Sequence, residues 1–394
     1  MKVLLPAISS SATPCGVSRH AANVARCLLQ NSDVERVDLI VGPWQLEAMR
    51  SMLNVVDKRL SLSVASVGSS ALARNVWYWS ALPRLVRSLQ SEILHLTYPV
   101  PVQRSAFPCP VVTTLHDLYP YDIPANFGYP KVFVNRTILQ QCLRAVDSIA
   151  CVSESTMHRL EIHATSAISQ KAVTIYNCVT PSEPTSVKCP LKGWQGEPFL
   201  LCVAQHRCNK NIILAMQVFQ RLIECGDLPH TACLLVVGAN GPETPSIEGF
   251  IRDHGLSANI KLLSGISDAE LEWCYGHCEL LLAPSSVEGF GLPVVEAMLH
   301  HCRVVCSDIP AFREVGGSYC QYVSLQQDAV QGFVDATRTA LASHKFRAAV
   351  TDTFSESRIA GAYHRLYTRL LQADSSRRVT AACKQAASFE RGRL

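Results

Sequence analysis

Short apolar runs recur along the chain and alternate with longer stretches of helical periodicity. In the first half the runs are Val3–Ala7, Val37–Val41, Ile93–Leu96, Val111–Leu115, Ser148–Val152 and Val173–Tyr176. In the second half they are Phe199–Ala204, Ala232–Val237, Ile260–Leu263, Leu280–Ala283 and Val304–Ser307. Near-continuous apolar strands separated by helices suit parallel sheets, whose two faces are both covered by crossover helices. Prolines and glycines break the pattern around residues 181–198, which reads as a linker between two such units, 1–180 and 199–354. The pattern therefore predicts an α/β protein of two successive doubly wound, Rossmann-like domains. Ligands bind beyond the carboxyl ends of strands in such sheets, so two of them facing each other form a cleft. A last helix is predicted over 355–372, with Ile359, Tyr363, Leu366 and Leu370 on one face. Within the remaining 373–394, Ser375–Leu394 is polar, with five basic residues against one acidic, and reads as a flexible, solvated tail.

The segment after Leu280–Ala283 changes the picture from architecture to chemistry. Residues 285–298 read Ser-Ser-Val-Glu-Gly-Phe-Gly-Leu-Pro-Val-Val-Glu-Ala-Met. Gly289 and Gly291 allow close backbone approach and positive φ, and Pro293 suits the first turn of a helix. Free amides at that helix start, from Gly289, Phe290, Gly291 and Leu292, make an anion site suited to a pyrophosphate. Glu296, one turn inside the helix, is then placed for ribose hydroxyls, and Glu288 for sugar hydroxyls. That is a nucleotide-sugar site built without metal. Taken alone, a Gly-rich strand-to-helix turn is also a common structural device.

A departing diphosphate needs cations as well as amides. Val203-Ala204-Gln205-His206-Arg207-Cys208-Asn209-Lys210 follows the first strand of the second unit and offers Arg207 and Lys210. Elsewhere such residues are mostly exposed loop charges. His116 and Asp117 stand just past the strand Val111–Leu115, aimed at the presumed cleft, although a histidine there is equally read as a satisfied structural one. Gly16 opens a helix after the first strand.

Composition narrows the alternatives. The chain has 394 residues and a net charge of +4, without the dense basic face of a nucleic-acid binder. No run of 18 apolar residues suggests a membrane span, and Met1–Pro6 reads as a first strand rather than an export signal. The 17 cysteines sit largely in apolar runs and lack paired zinc-ligand spacing, which favours reduced thiols in the cytoplasm, no metal and no separate cofactor. Arg74–Arg87 interleaves arginines with Trp77, Tyr78 and Trp79, a composition compatible with weak peripheral membrane contact or with core packing.

The spacing E-G-F-G-L-P-x-x-E-A at 288–297 resembles the E-x7-E signature of glycosyltransferase family 4, the large retaining family of GT-B architecture. The resemblance extends from residue 1 to about 371 and is most specific in the second unit. It implies a helix crossing back from the second domain to the first. It also implies a retaining hexosyltransferase, slightly favouring mannosyl, that uses a UDP- or GDP-sugar donor and a glycan or lipid-linked acceptor. Family members commonly carry Arg, then Lys five residues later, after a glycine; here these positions hold Gln205, Lys210 and Ala204, and Arg207 is the substitute guanidinium. By the same resemblance His116 contacts the transferred sugar, and Asp117 orients His116 or meets the acceptor. The Gly16 loop closes over the donor, and the backbone at Gly265 and Ile266 reads the base. Two rival readings share the fold: a nucleotide-sugar epimerase, for which no acid/base carboxylate pair is evident, and a non-catalytic binder, which the departure at Gln205 favours.

Overall fold

The computed structural model describes residues 1–53, 55–179, 188–326, 328–343 and 352–391, the last fifteen by backbone alone. The first domain is built on β1 (Lys2–Pro6), β2 (Arg36–Val41), β3 (Leu60–Val64), β4 (Ile93–Leu96), β5 (Val111–Leu115), β6 (Ser148–Cys151) and β7 (Ala172–Thr174). These strands form one parallel sheet in the order β3-β2-β1-β4-β5-β6-β7. The second domain carries β8 (Phe199–Val203), β9 (Cys233–Val237), β10 (Ile260–Leu263), β11 (Leu280–Ala283), β12 (Arg303–Ser307) and β13 (Gln321–Val323). Its parallel sheet runs β10-β9-β8-β11-β12-β13.

Every predicted run is a strand, and two strands escaped the pattern. In β3, Leu-Ser-Leu-Ser-Val is half polar because the strand lies at a sheet edge. Gln321–Val323 is a three-residue edge strand, too short to stand out. Of the expected linker, 181–187 lies outside the described residues, and 188–198 carries no helix or strand.

Helices cover both faces of each sheet, so each domain has two apolar layers. The final helix, Glu356–Arg391, docks Ile359, Tyr363, Leu366 and Tyr367 into the core of the first domain, beside Ala21, Ala25 and Val37. This is the anticipated return of the chain to its first half. The helix does not stop at 372. It continues to Arg391, and the tail expected to be flexible is helical over its described part. The reason is local: from Ala362 to Arg391 the chain contains neither Gly nor Pro and is rich in Ala, Arg and Gln.

In the Arg74–Arg87 segment, Trp77 and Tyr78 are buried in the first domain's core, whereas Trp79 is 47% exposed. Core packing thus accounts for two of its three aromatics. No helix among the described residues is long and apolar enough to cross a membrane.

Candidate active site

In each sheet the chain reverses winding direction at one crevice, and both crevices open toward the other domain. In the second sheet β8 lies between β9 and β11, which makes the β8/β11 crevice the switch point where open α/β sheets hold ligands. The loop after β8 brings Lys210 there, and the loop after β11 brings Glu288. Lys210 Nζ donates to Glu288 Oε1 at 2.5 Å, with the side chains 17% and 10% exposed. Both loops are pinned from within. Asn209 Nδ2 donates to the Val287 carbonyl at 3.1 Å, and Asn211 Nδ2 to that of Pro284 at 2.9 Å. Asn211 adopts φ 47, a left-handed conformation that its short polar side chain tolerates.

The glycine turn shows why these positions exclude side chains. A Cβ on Gly289 would stand 1.7 Å from the His116 carbonyl oxygen of the first domain. Ser153 Oγ and Thr156 Oγ1, also of the first domain, donate to the Gly289 carbonyl at 2.5 and 2.9 Å. Gly291, at φ 105, heads the helix Leu292–Leu299, and Pro293 stands in its first turn. Phe290 is buried against Phe354 and Tyr176, so its side chain anchors the turn in the core while only its backbone is left for a ligand.

Glu296 accepts a hydrogen bond from Tyr275 Oη at 2.7 Å. Burial raises its pKa, opposed by the Tyr275 hydroxyl and by the positive charge of Arg19. Arg19 belongs to the helix Gly16–Leu29 of the first domain and pairs with Asp268, which begins the helix Asp268–His277 of the second. Gly265, at φ 71, and Ile266 lead into that helix, whose start is closed by a capping box between Ser267 and Glu270.

The first domain contributes a polar wall. His116 Nε2 donates to the Thr97 carbonyl at 2.8 Å, and burial lowers the ring's pKa, so it is neutral at pH 7 with Nδ1 as the acceptor nitrogen. Burial pushes Asp117 up to about 6, against the Tyr119 amide and the charges of Arg207 and Lys210, with Glu288 adding to the rise. Tyr119 Oη donates to Glu288 Oε2 at 3.1 Å across the cleft. Arg207 is half-buried and makes no side-chain hydrogen bond among the described residues, whereas Gln205 is exposed. Gly16 is the first helical residue, with open space where a Cβ would stand.

The predicted site residues thus converge from both domains: Lys210, Glu288 and Glu296 from one, His116 and Asp117 from the other. Sequence reasoning missed Tyr119, Tyr275, Arg19 and Asp268. Arg19 follows Gly16 by three residues and Tyr119 follows Asp117 by two, so proximity to the chosen motifs was the available signal. Glu314 is structural: its carboxylate accepts from the amides of Glu154 and Ser155 at 2.7 and 2.9 Å, closing the helix Glu154–His163 of the other domain. Among the described residues no group of three or more His, Cys, Asp or Glu is placed to hold a metal ion. The sixteen cysteines with described side chains are free thiols.

Residues 14–183 match Glycosyltransferase Family 4, and residues 192–353 match Glycosyl transferases group 1. The O-antigen chain mannosyltransferase RfbU of Salmonella typhimurium is 27% identical over 264 residues, covering 65% of this chain and 68% of the relative. The O-antigen chain mannosyltransferase B of Escherichia coli is 26% identical, covering 52% of this chain and 55% of the relative. A serotype-specific mannosyltransferase, WbdA of Escherichia coli, is 35% identical over 142 residues, 36% of this chain and 17% of its own length. The chain thus spans about half or less of the latter two. Among solved structures, Anabaena Alr3699/HepE in complex with UDP and glucose superposes with a TM-score of 0.66 at 16% identity, over 93% of this chain and 99% of that one. WaaG, a glycosyltransferase involved in lipopolysaccharide biosynthesis, gives 0.63 at 16% identity, over 94% and 98%. These likenesses establish the shared two-domain GT-B fold.

Proposed function

Because the chain belongs to glycosyltransferase family 4, we propose that it moves a mannosyl group from a nucleotide-diphosphate sugar to a glycan hydroxyl, with retention and without a metal. The observation that carries this reading is the Lys210–Glu288 pair, set at the switch point one turn of chain before a helix that bears Glu296. An arriving diphosphate takes the Lys210 ammonium from Glu288. The half-buried Arg207 and the first amides of Leu292–Leu299 add to the positive field. Glu288, released, turns to sugar hydroxyls, and Glu296 holds the ribose. The neutral His116 faces the sugar with Nδ1 as acceptor. Charge on the leaving diphosphate is absorbed by protein cations and amides, which is the support for metal independence. Mannose is favoured because several relatives are mannosyltransferases by name. The lipid-linked form of the acceptor and a site of action at the inner membrane face belong to the same proposal.

Acceptor-dependent release of nucleoside diphosphate, followed by NMR assignment of the product anomer, tests it. Release only with acceptor and an α-linked product from an α-linked donor support the proposal. Sugar inversion at another carbon without acceptor indicates an epimerase, and tight binding without release a non-catalytic binder.

A further inference from the structure

Beneath His116 lies a chain of buried side chains that the transfer chemistry does not use. Tyr367 Oη, on the returning helix Glu356–Arg391, is 2.6 Å from His95 Nδ1. His95 Nε2 is 2.8 Å from Thr114 Oγ1 on β5. The same hydroxyl is 3.0 Å from His20 Nε2, and His20 Nδ1 is 2.8 Å from Asn177 Oδ1. The His20 ring stands perpendicular to that of His116, with centroids 4.6 Å apart. All of Tyr367, His95, Thr114, His20 and Asn177 are 5% exposed or less.

One assignment of protons satisfies every link. Asn177 Oδ1 only accepts, so His20 carries its hydrogen on Nδ1 and its Nε2 must accept. The Thr114 hydroxyl therefore donates to His20, which leaves its oxygen to accept from His95 Nε2–H. His95 Nδ1 then accepts from the Tyr367 hydroxyl. Both histidines are neutral in this arrangement, and burial lowers the pKa of each, that of His95 to about 3. With both nitrogens committed, His20 presents only ring carbon to His116.

We propose that His20 is a positioning residue for His116, locked by a one-way hydrogen-bond chain that starts at Tyr367 on the returning helix. The wall it forms fixes the plane of the His116 imidazole, while the Thr97 carbonyl fixes its tautomer. The proposal rests on the transferase reading for the meaning of His116, and not for the existence of the chain. It also gives the returning helix a part in the reaction. Docking of that helix completes the series of donors, and loss of any link leaves a buried polar atom unpartnered.

The test is Thr114→Val against Thr114→Ser. Valine matches the threonine shape and deletes the shared hydroxyl; serine keeps it. Two readouts are taken: steady-state kinetics with acceptor, and imidazole 15N signals of histidine-labelled full-length protein. In the wild type the signals are expected as Nδ1–H for His20 and Nε2–H for His95 and His116. For Thr114→Val, kcat is expected to fall about tenfold or more, with nucleoside diphosphate affinity held within about twofold and the His20 tautomer mixed. For Thr114→Ser, kcat recovers to within about threefold of wild type, with the wild-type tautomers. Equal losses in both variants, unchanged kcat in Thr114→Val, or Nε2–H on His20 in the wild type would overturn the proposal. Absence of nucleotide binding in the wild type counts against the transferase reading instead, and the tautomer pattern still decides the chain.

Discussion

Gly289→Ala is the smallest change that should uncouple nucleotide binding from transfer. The added methyl would lie 1.7 Å from the His116 carbonyl oxygen, whereas real contacts of this kind do not fall below 3.0 Å. The two backbones must therefore part by about 1.3 Å or more. His116 directly follows β5, whose last residue, Leu115, is paired with Cys151 in the parallel sheet, so its carbonyl yields little. The glycine turn is held by hydrogen bonds from Ser153 and Thr156, which the movement stretches or breaks. Two lost cross-domain bonds weaken the closed arrangement by about 1–3 kcal/mol. A displacement of about 1 Å between His116 and Glu288 is worth roughly a further hundredfold in rate. Lys210 and Glu296 belong to the second domain and lie outside the displaced turn, so nucleotide binding should change less than transfer. Steady-state kinetics should show kcat reduced about 10³- to 10⁴-fold. Titration with nucleoside diphosphate should show affinity within about threefold of wild type. Wild-type kcat in a correctly folded Gly289→Ala protein would refute the reasoning, because the closed contact would then be irrelevant to transfer.

Other consequences follow from the same geometry. Lys210→Ala should lower kcat/KM about 10²-fold, and Arg207→Ala less, about tenfold, as read in the same release assay. Tyr275→Phe removes the hydroxyl that supports the Glu296 carboxylate and should weaken nucleotide binding about two- to tenfold by calorimetry. Glu314→Ala removes the acceptor of the Glu154 and Ser155 amides while Ser153 still caps the helix Glu154–His163, and should cost about 1 kcal/mol in urea unfolding. Asp117 has a folded-state pKa of about 6, above its ordinary value of 3.8, so the native state holds the extra proton between those limits. Stability contributed by this group therefore falls as pH rises from about 4 to 6 and is flat above. Asp117→Asn keeps an acceptor for the Tyr119 amide, and should raise Tm more at pH 7 than at pH 4.

The fold was legible wherever both faces of a strand are buried. Val111–Leu115 and Leu280–Ala283 are buried at every position and read as unbroken apolar runs. The edge strand β3 has exposed serines and an exposed Val64, and its alternation blends into the surrounding loop. The second-domain half of the site was legible because Glu288, the glycine turn, Pro293 and Glu296 are neighbours in sequence and each has a spacing-dependent use. The groups that orient them were not. Tyr275 reaches Glu296 from 21 residues away, and Arg19 reaches Asp268 across 249. His20 is an unremarkable residue on an amphipathic helix until the fold sets it between Thr114, Asn177 and His116. Phe290 was read only for its backbone amide; the packing of its ring in an aromatic cluster with Phe354 and Tyr176 had no signal in the sequence. Helix length at the carboxyl terminus was underestimated because polarity was taken as a stop signal, although only Gly or Pro would have supplied one.

The most direct measurement is a thermal-shift screen of the purified protein against UDP, GDP, ADP and their sugars, with and without EDTA, repeated on Glu296→Ala. A ligand at 100 times its Kd stabilises the native state by about 2.7 kcal/mol, well within detection. The account predicts stabilisation by one nucleotide family, insensitive to EDTA and lost in Glu296→Ala. Stabilisation by none of them, or equal stabilisation of Glu296→Ala, would contradict a nucleotide-sugar site at the β8/β11 crevice.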